Sequence, residues 1–169
     1  YGAAKLACEA LIASYAMMYG FRAVILRIAN VVGPRMTHGV LVDFVEKLRR
    51  DRRRLEILGD GTQSKSYLTV ADCVRAIIVA AERSQEQVAI LNVGSEDMVS
   101  VDEIAQIVVE EMGLEGVELV HTGGVEGRGW VGDVKKMWLD ISKIKRLGWK
   151  PTTDSRGAIR NAVRHLLGQ

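Results

Sequence analysis

Cysteine and proline are both scarce in this sequence, with two of each among 169 residues. Two cysteines are too few for the disulfide framework on which small secreted domains rely. Cys8 and Cys73 each lie in an apolar helical pattern, so we expect two buried free thiols in a reducing cytoplasm. A disulfide between them stays open, because it depends on a distance that the sequence does not contain.

A strong excess of one charge is also absent. Lysine and arginine number 23 and aspartate and glutamate 21, which leaves a net charge of +2. This balance does not by itself indicate binding to nucleic acid or to a membrane surface. The basic run at 49–54 has no interleaved aromatic residues, and we interpret it as the solvated end of a helix. We therefore expect no nucleic-acid partner.

Long apolar runs and metal motifs are missing as well. No stretch reaches the roughly 20 apolar residues that a membrane-spanning helix needs, and no signal peptide is visible. We expect a cytoplasmic protein with no membrane partner. The three histidines, His38, His121 and His165, are far apart in the sequence and lack the spacing of metal ligands, so we also expect no bound metal.

Two further absences concern the start of the chain. No glycine-rich turn of the kind that cradles a dinucleotide pyrophosphate is present. The first residue is Tyr1 rather than Met. We therefore expect the chain to be part of a longer protein.

The residues that are present alternate between helical and extended patterns. The apolar run at 21–28 is nearly continuous, as in a parallel strand that is covered on both faces. Alternating helices and strands predict α/β layers with some parallel pairing. Predicted helices are 5–18, 39–50, about 72–83, 100–112, a short one after Asp140, and 155–167. Ser100 and Glu103 are predicted to form a capping box at the start of the 100–112 helix. Predicted strands are 21–28, 55–58, 67–70, 89–93, 117–120 and a brief piece at 137–139, with a loop at 121–133.

Tyr1 and Lys5 form the first candidate catalytic pair. Four-residue spacing on a helix places both side chains on one face. A nearby ammonium favours the phenolate form of tyrosine, which can act as a general base on a hydroxyl. The spacing alone also occurs in ordinary exposed pairs, so the following motif decides the interpretation.

The Tyr-x-x-x-Lys helix is followed by a strand that reads Arg-x-x-Asn-Val-x-Gly-Pro over 27–34. This combination resembles the extended short-chain dehydrogenase/reductases, in particular the NAD-dependent epimerase/dehydratase family. The resemblance extends over the whole chain and implies an α/β fold: the C-terminal part of a Rossmann-type doubly wound fold plus a small α/β substrate-binding domain. It places the end of the dinucleotide-binding domain at 1–34 and mostly the substrate-binding domain at 35–169. A segment near 66–93 is expected to return to the Rossmann sheet.

The resemblance assigns roles to residues near the cofactor. Tyr1 is the expected catalytic acid/base, and Lys5 is expected to hold the nicotinamide ribose and to tune Tyr1. Ile28 and Ala29 are expected to pass near the nicotinamide. The implied cofactor is NAD, with NADP not excluded, because the residue that would decide between them lies in the dinucleotide fingerprint that these residues lack.

The resemblance also assigns substrate contacts. Asn30 is expected to donate to a phosphate oxygen, and Ile57 and Leu58 to lie near the nucleotide base. Lys65 stands where many relatives carry arginine, and it still offers a point charge to phosphate, although not a bidentate fork. Asp72, a little further on, is predicted to be a helix cap.

The glycine-rich segment 127–133 carries the last expected contacts. Asp133 matches the family residue that contacts a ribose hydroxyl. Arg128 departs from the family pattern, in which an arginine lies three residues before the aspartate; that position is Trp130 here. Arg128 remains a candidate phosphate ligand, while Trp130 either stacks on the base or anchors the loop.

The resemblance implies a nucleotide-sugar epimerase, with a UDP-hexose such as UDP-glucose as the expected substrate and a transient 4-keto sugar as the expected intermediate. The alternatives within the family are a 4,6-dehydratase and a UDP-glucuronate decarboxylase. An alternative of another class is a non-catalytic binding module that keeps the scaffold. We expect a homodimer, because the helix at 5–18 corresponds to the dimer helix of relatives, and we expect these residues alone to be inactive.

Overall fold

The computed structural model describes residues 1–169. The six helices are α1 (Gly2–Tyr19), α2 (Val40–Arg50), α3 (Val70–Arg83), α4 (Val101–Glu111), α5 (Ser142–Arg146) and α6 (Ser155–Leu167). The nine strands are β1 (Ala23–Ile28), β2 (Asn30–Val32), β3 (Arg54–Leu58), β4 (Ser64–Lys65), β5 (Tyr67–Thr69), β6 (Val88–Val93), β7 (Val99–Ser100), β8 (Glu118–Thr122) and β9 (Lys136–Met137). The predicted helix–strand alternation is confirmed, with boundaries that shift by a few residues.

Parallel pairing dominates, as the alternation predicts. Strand β1 pairs with β6, β2 with β5, β3 with β8 and β4 with β9, all parallel. Only the short β4–β7 pair is antiparallel. The order of pairing brings residues that are distant in the sequence together: Asn30 is opposite Tyr67, and Lys65 is opposite Met137.

Two hydrophobic cores hold these layers together. The larger core packs α2, α4 and α6 against β3 and includes Leu41, Leu48 and Leu55, which are all fully buried. The smaller core lies where α3 and α5 meet β6 and is centred on Trp149. The indole of Trp149 donates to the carbonyl oxygen of Asp72 at 3.1 Å, so even its polar edge is satisfied.

The apolar surface of α1 is largely uncovered. Only Ala16 is buried among its 18 residues, whereas Leu6 is 64% exposed and Met18 is 70% exposed. The outer face of α3 shows the same feature, since Val74 and Ile78 are both about half exposed. Contiguous apolar surface of this kind marks an interaction site in natural proteins.

Local capping signals are mostly confirmed. Ser100 and Glu103 form the predicted capping box at the start of α4, and Asp154 caps α6 by accepting from the backbone N–H of Gly157. Asp140 accepts from the backbone N–H of Ser142 at 2.8 Å, next to the start of α5.

Asp72 is not a helix cap, which corrects the prediction. Thr69 caps α3 by accepting from the backbone N–H of Asp72. The buried Asp72 carboxylate instead accepts from the backbone N–H and the hydroxyl of Thr152, and from Arg75. It therefore ties the segment before α6 to α3.

The expectation of two buried thiols is also wrong. Cys8 is exposed and Cys73 is half-buried, and both are free. Burial raises the pKa of the Cys73 thiol above its ordinary value. None of the helices has both the length and the apolar character needed to cross a membrane.

Candidate active site

A cavity of about 740 Å³ opens between β2, the first turns of α2, the end of β3, and β4 and β5. The loop at 129–133 and Val101 at the start of α4 close its other side. Small-molecule sites in proteins commonly have volumes of about 300–1,000 Å³. The cavity is therefore large enough for a ligand of nucleotide size.

Lys65 and Asp133 form an ion pair in the cavity wall. The ammonium lies 2.8 Å from Asp133 Oδ1, and the Asp133 side chain is only 5% exposed. The other carboxylate oxygen accepts from the backbone N–H of Gly129 at 3.2 Å. Lys65 also lies 5.9 Å from the ring centre of Trp130. The pairing fixes a cation and a carboxylate side by side, although the two residues are 68 positions apart.

Two amide side chains in the same wall have buried atoms without a partner. Asn30 Nδ2 is a donor that makes no hydrogen bond, and Gln63 Oε1 is an acceptor that makes none. The backbone N–H of Asn30 donates to Ser66 at 3.2 Å, so the residue is held in place. A buried polar group without a partner costs about 1–3 kcal/mol. Such groups in a cavity wall favour a polar ligand that would satisfy them.

Tyr67 contributes a neutral phenol to the cavity. It is 7% exposed, and burial, together with the nearby Asp133 carboxylate, raises its pKa to about 12. The hydroxyl therefore stays protonated at neutral pH. This residue can bind a ligand but is not suited to act as a base.

A second cation lines the far side of the cavity on α2. Lys47 pairs with Asp43 at 2.7 Å and donates to the Glu56 carbonyl oxygen at 3.0 Å. Its ammonium lies 6.0 Å from the ring centre of Phe44. Leu58, which is 48% exposed, lines the same cavity. Together these residues form an apolar wall that contains one ion pair.

Tyr1 and Lys5 lie together but outside this cavity. The Lys5 ammonium is 5.4 Å from the centre of the Tyr1 ring, as their spacing predicts. Tyr1 is 97% exposed. Ile28 is 41% exposed, and Ala29, which is buried, donates its backbone N–H to Val93 at 2.8 Å. The Tyr1 and Lys5 side chains thus face solvent.

Two of the sequence-predicted ligands lie away from the cavity wall. Ile57 is fully buried in the larger core. Arg128 belongs to a tight turn closed by backbone hydrogen bonds with Val125, and its buried Nε has no partner. The structure brings Asn30, Leu58 and Lys65 together with Asp133 around one cavity. The roles assigned to all of these residues stay predictions.

The cavity also contains residues that the sequence prediction did not include. These include His38, which was considered only as a metal ligand, and Asp43, Lys47, Gln63 and Tyr67. Trp130, which the sequence prediction did consider, also lines the cavity. Gln63 lies two residues before Lys65, and Tyr67 two residues after it. Side chains alternate along a short extended segment, so every second side chain lies on the same face. This alternation was the one signal in the sequence that could have identified Gln63 and Tyr67 as neighbours of Lys65.

Parallel strand pairs between helices define a Rossmann-like α/β protein. Residues 1–94 match the NAD dependent epimerase/dehydratase family. This match covers more than half of the chain, and the chain belongs to that family.

Known proteins of this family resemble the chain over nearly its whole length. A Methanocaldococcus jannaschii protein assigned as a UDP-glucose 4-epimerase is 33% identical over 96% of this chain and 52% of its own length. A crystal structure of a UDP-galactose 4-epimerase is 42% identical, with a TM-score of 0.86, over 99% of this chain and 53% of that one. The UDP-glucose 4-epimerase of Thermotoga maritima, solved with UDP-glucose, is 31% identical, with a TM-score of 0.85 and the same coverage. The chain thus spans about half the length of these relatives.

Proposed function

We propose that this chain provides the nucleotide-sugar site of a UDP-hexose 4-epimerase that uses NAD. The observation that carries the proposal is the cavity that contains Lys65, Asp133 and the unpartnered amide of Asn30. A nucleoside diphosphate offers oxygens to cationic and amide donors, and its ribose offers hydroxyl donors to a carboxylate. The names of the relatives support a UDP-sugar as the ligand.

Each charged group has a distinct place in the proposed complex. Lys65 binds a diphosphate oxygen as a point charge, and Asn30 Nδ2 donates to a second phosphate oxygen. Asp133 accepts from a ribose hydroxyl. Leu58 and the apolar wall of the cavity contact the base. Arg128 remains a candidate phosphate ligand, which would require its turn to move toward the cavity.

The residues present fit the nicotinamide end of NAD. Tyr1 and Lys5 share one face of α1 and are both exposed, and Ile28 lies at the exposed end of β1. We propose that Lys5 binds the nicotinamide ribose and that Ile28 and Ala29 lie beside the ring. When bound, NAD accepts a hydride from the sugar carbon and later returns it. NADP stays an alternative.

The proton in this reaction moves through Tyr1. Tyr1 accepts the proton of the sugar 4-hydroxyl while the hydrogen on C4 leaves as a hydride, so that a 4-keto sugar forms, and Tyr1 later gives the proton back. Return of the hydride to the opposite face of the sugar completes the epimerisation.

We further propose that these 169 residues alone do not catalyse the epimerisation. Tyr1 is almost fully exposed, and a catalytic base needs a defined position relative to its substrate. A glycine-rich pyrophosphate turn is absent from these residues. The uncovered apolar surface of α1 supports a homodimer in the protein that contains this chain, and we propose a cytoplasmic location for it.

Product analysis tests the proposed activity. The protein that contains this chain is incubated with NAD and UDP-glucose, and UDP-galactose is the expected product. Formation of a 4-keto-6-deoxy sugar would assign a dehydratase, and release of CO2 from UDP-glucuronate would assign a decarboxylase. Failure to convert any UDP-sugar, with UDP still bound, would support a non-catalytic module.

A matched pair of variants separates chemistry from binding in the same assay. Tyr1→Phe removes the proposed acid/base and is expected to lower kcat at least a hundredfold, since general acid–base catalysis contributes about 10²–10⁴-fold. Tyr15→Phe, on the same helix but without a proposed role, is the control. If Tyr15→Phe lost activity and Tyr1→Phe did not, the assignment of Tyr1 as the acid/base would be contradicted.

A further inference from the structure

The side chain of Gln63 is buried in the cavity wall, and the oxygen of its amide has no hydrogen-bond partner. Gln63 is 2% exposed. Its Nε2 donates to the Leu58 carbonyl oxygen at 3.2 Å, whereas its Oε1 has no hydrogen-bond partner. An acceptor in this position is incomplete until a donor reaches it.

The orientation of this amide is fixed by its surroundings. Exchanging the nitrogen and oxygen positions would place Oε1 against the Leu58 carbonyl oxygen, so that two acceptors would face each other. The backbone carbonyl of Gln63 accepts from the N–H of Val101 at 3.0 Å. A Cβ at Gly59, whose φ is +89°, would come within 2.3 Å of Gln63 Nε2. The glycine therefore leaves room for the amide, and the amide oxygen is held as an acceptor.

The neighbouring acceptor is the Asp133 carboxylate. A Cβ built on Gly129 would lie 3.4 Å from Asp133 Oδ2 and 3.9 Å from Gln63 Nε2. The Gln63 amide and the Asp133 carboxylate therefore flank the same glycine. The cavity is thus lined by two residues with acceptor oxygens, Asp133 with its carboxylate and Gln63 with its unpartnered Oε1, and the ribose of a nucleotide carries two adjacent hydroxyl donors that match them.

We propose that Gln63 Oε1 accepts a hydrogen bond from a ribose hydroxyl of the bound nucleotide, beside the hydroxyl that Asp133 accepts. This inference rests on the proposed nucleotide-sugar site and adds a specificity-determining residue to it. It makes the site select ribonucleotides over the analogue that lacks the hydroxyl. A site built to bind a hydroxyl rejects an analogue without it, because its own polar group is left unpaired.

Calorimetric binding of UDP, 2′-deoxy-UDP and 3′-deoxy-UDP to the protein that contains this chain tests the proposal. Each deoxy analogue is expected to bind about tenfold more weakly than UDP, because each lacks one of the two proposed hydrogen bonds. Gln63→Met, which keeps the length of the side chain, is expected to abolish the penalty for one analogue and to keep the penalty for the other, which depends on Asp133. Gln63→Glu, which keeps an acceptor, is expected to retain both penalties.

The controls separate a ligand contact from a structural role. Gln87→Met replaces an exposed glutamine that donates to the Ala16 carbonyl oxygen at 3.0 Å, away from the cavity, and should leave all three affinities unchanged. Equal weakening of all three ligands in Gln63→Met, or no deoxy penalty in the unmodified protein, overturns the inference and leaves the nucleotide site standing. Failure of the unmodified protein to bind UDP at all overturns the proposed function, and with it this contact.

Discussion

Two regions of this molecule differ in how much of their side-chain surface is buried. The region around α2, α4 and α6 has a closed core, a cavity and a buried ion pair. The region around α1 has one buried residue in an 18-residue helix, and its proposed base is 97% exposed. The proposed substrate-binding groups therefore line a cavity of this chain, whereas the proposed catalytic groups lie on an uncovered surface.

The difference in burial predicts a difference in mutational cost. Leu48→Ala, in the larger core, should lower the free energy of unfolding by about 2–5 kcal/mol, because it leaves a cavity among packed side chains. Leu11→Ala, on exposed α1, should change it by less than about 0.5 kcal/mol. Urea unfolding of both variants measures this. Similar costs at the two sites would show that α1 is packed in solution.

The hydrogen bonds that the Asp72 carboxylate accepts are expected to make the next largest contribution to the free energy of unfolding. Asp72→Ala removes the acceptor for Thr152 and Arg75 in a nearly solvent-free position and should cost about 1–3 kcal/mol. Glu86→Ala breaks only an exposed pair with Lys143 and should be near neutral. Thermal unfolding of both variants compares the two costs. An equal loss of stability in Glu86→Ala would contradict the stabilising role given to the hydrogen bonds between Asp72 and Thr152.

The Lys65 cation should matter for ligand binding more than other lysines do. Lys65→Met removes the charge beside Asp133 and should weaken UDP binding at least tenfold, since hydrogen bonds to charged groups contribute about 1.5–3 kcal/mol. Lys135→Met removes an exposed lysine that pairs with Asp60 and should leave UDP affinity unchanged. Calorimetric titration compares them, and similar effects would indicate nonspecific charge attraction.

The smallest expected effect is a pH dependence between α4 and α6. Hydrogen bonds from Arg164 and Arg160 hold the pKa of Glu111 below its ordinary value of 4.5. The stability from these contacts is present above that value and is lost as pH falls through the lowered pKa. Glu111→Gln should therefore lower Tm at about pH 7 but have little effect at about pH 3. A Tm difference that grows on acidification would contradict this sign.

Local signals predicted much of the fold but only part of the site. The 155–167 helix and the Ser100–Glu103 capping box depend on residues a few positions apart, and both are confirmed. The role of Asp72 was missed because its partner, Thr152, is 80 positions away. Gln63 was missed for a different reason, since its importance depends on its burial in the cavity wall, which composition and local pattern do not show. The exposure of Cys8 depends on which surfaces of α1 are covered, and an apolar pattern does not show that.

The most direct test titrates the 169-residue chain with UDP and, separately, with NAD. The proposed nucleotide cavity lies wholly within this chain, whereas the glycine-rich pyrophosphate turn does not. We predict measurable binding of UDP that is lost in Lys65→Met, and no binding of NAD at micromolar concentrations. Micromolar binding of NAD, or the absence of UDP binding to a folded chain, would contradict the account.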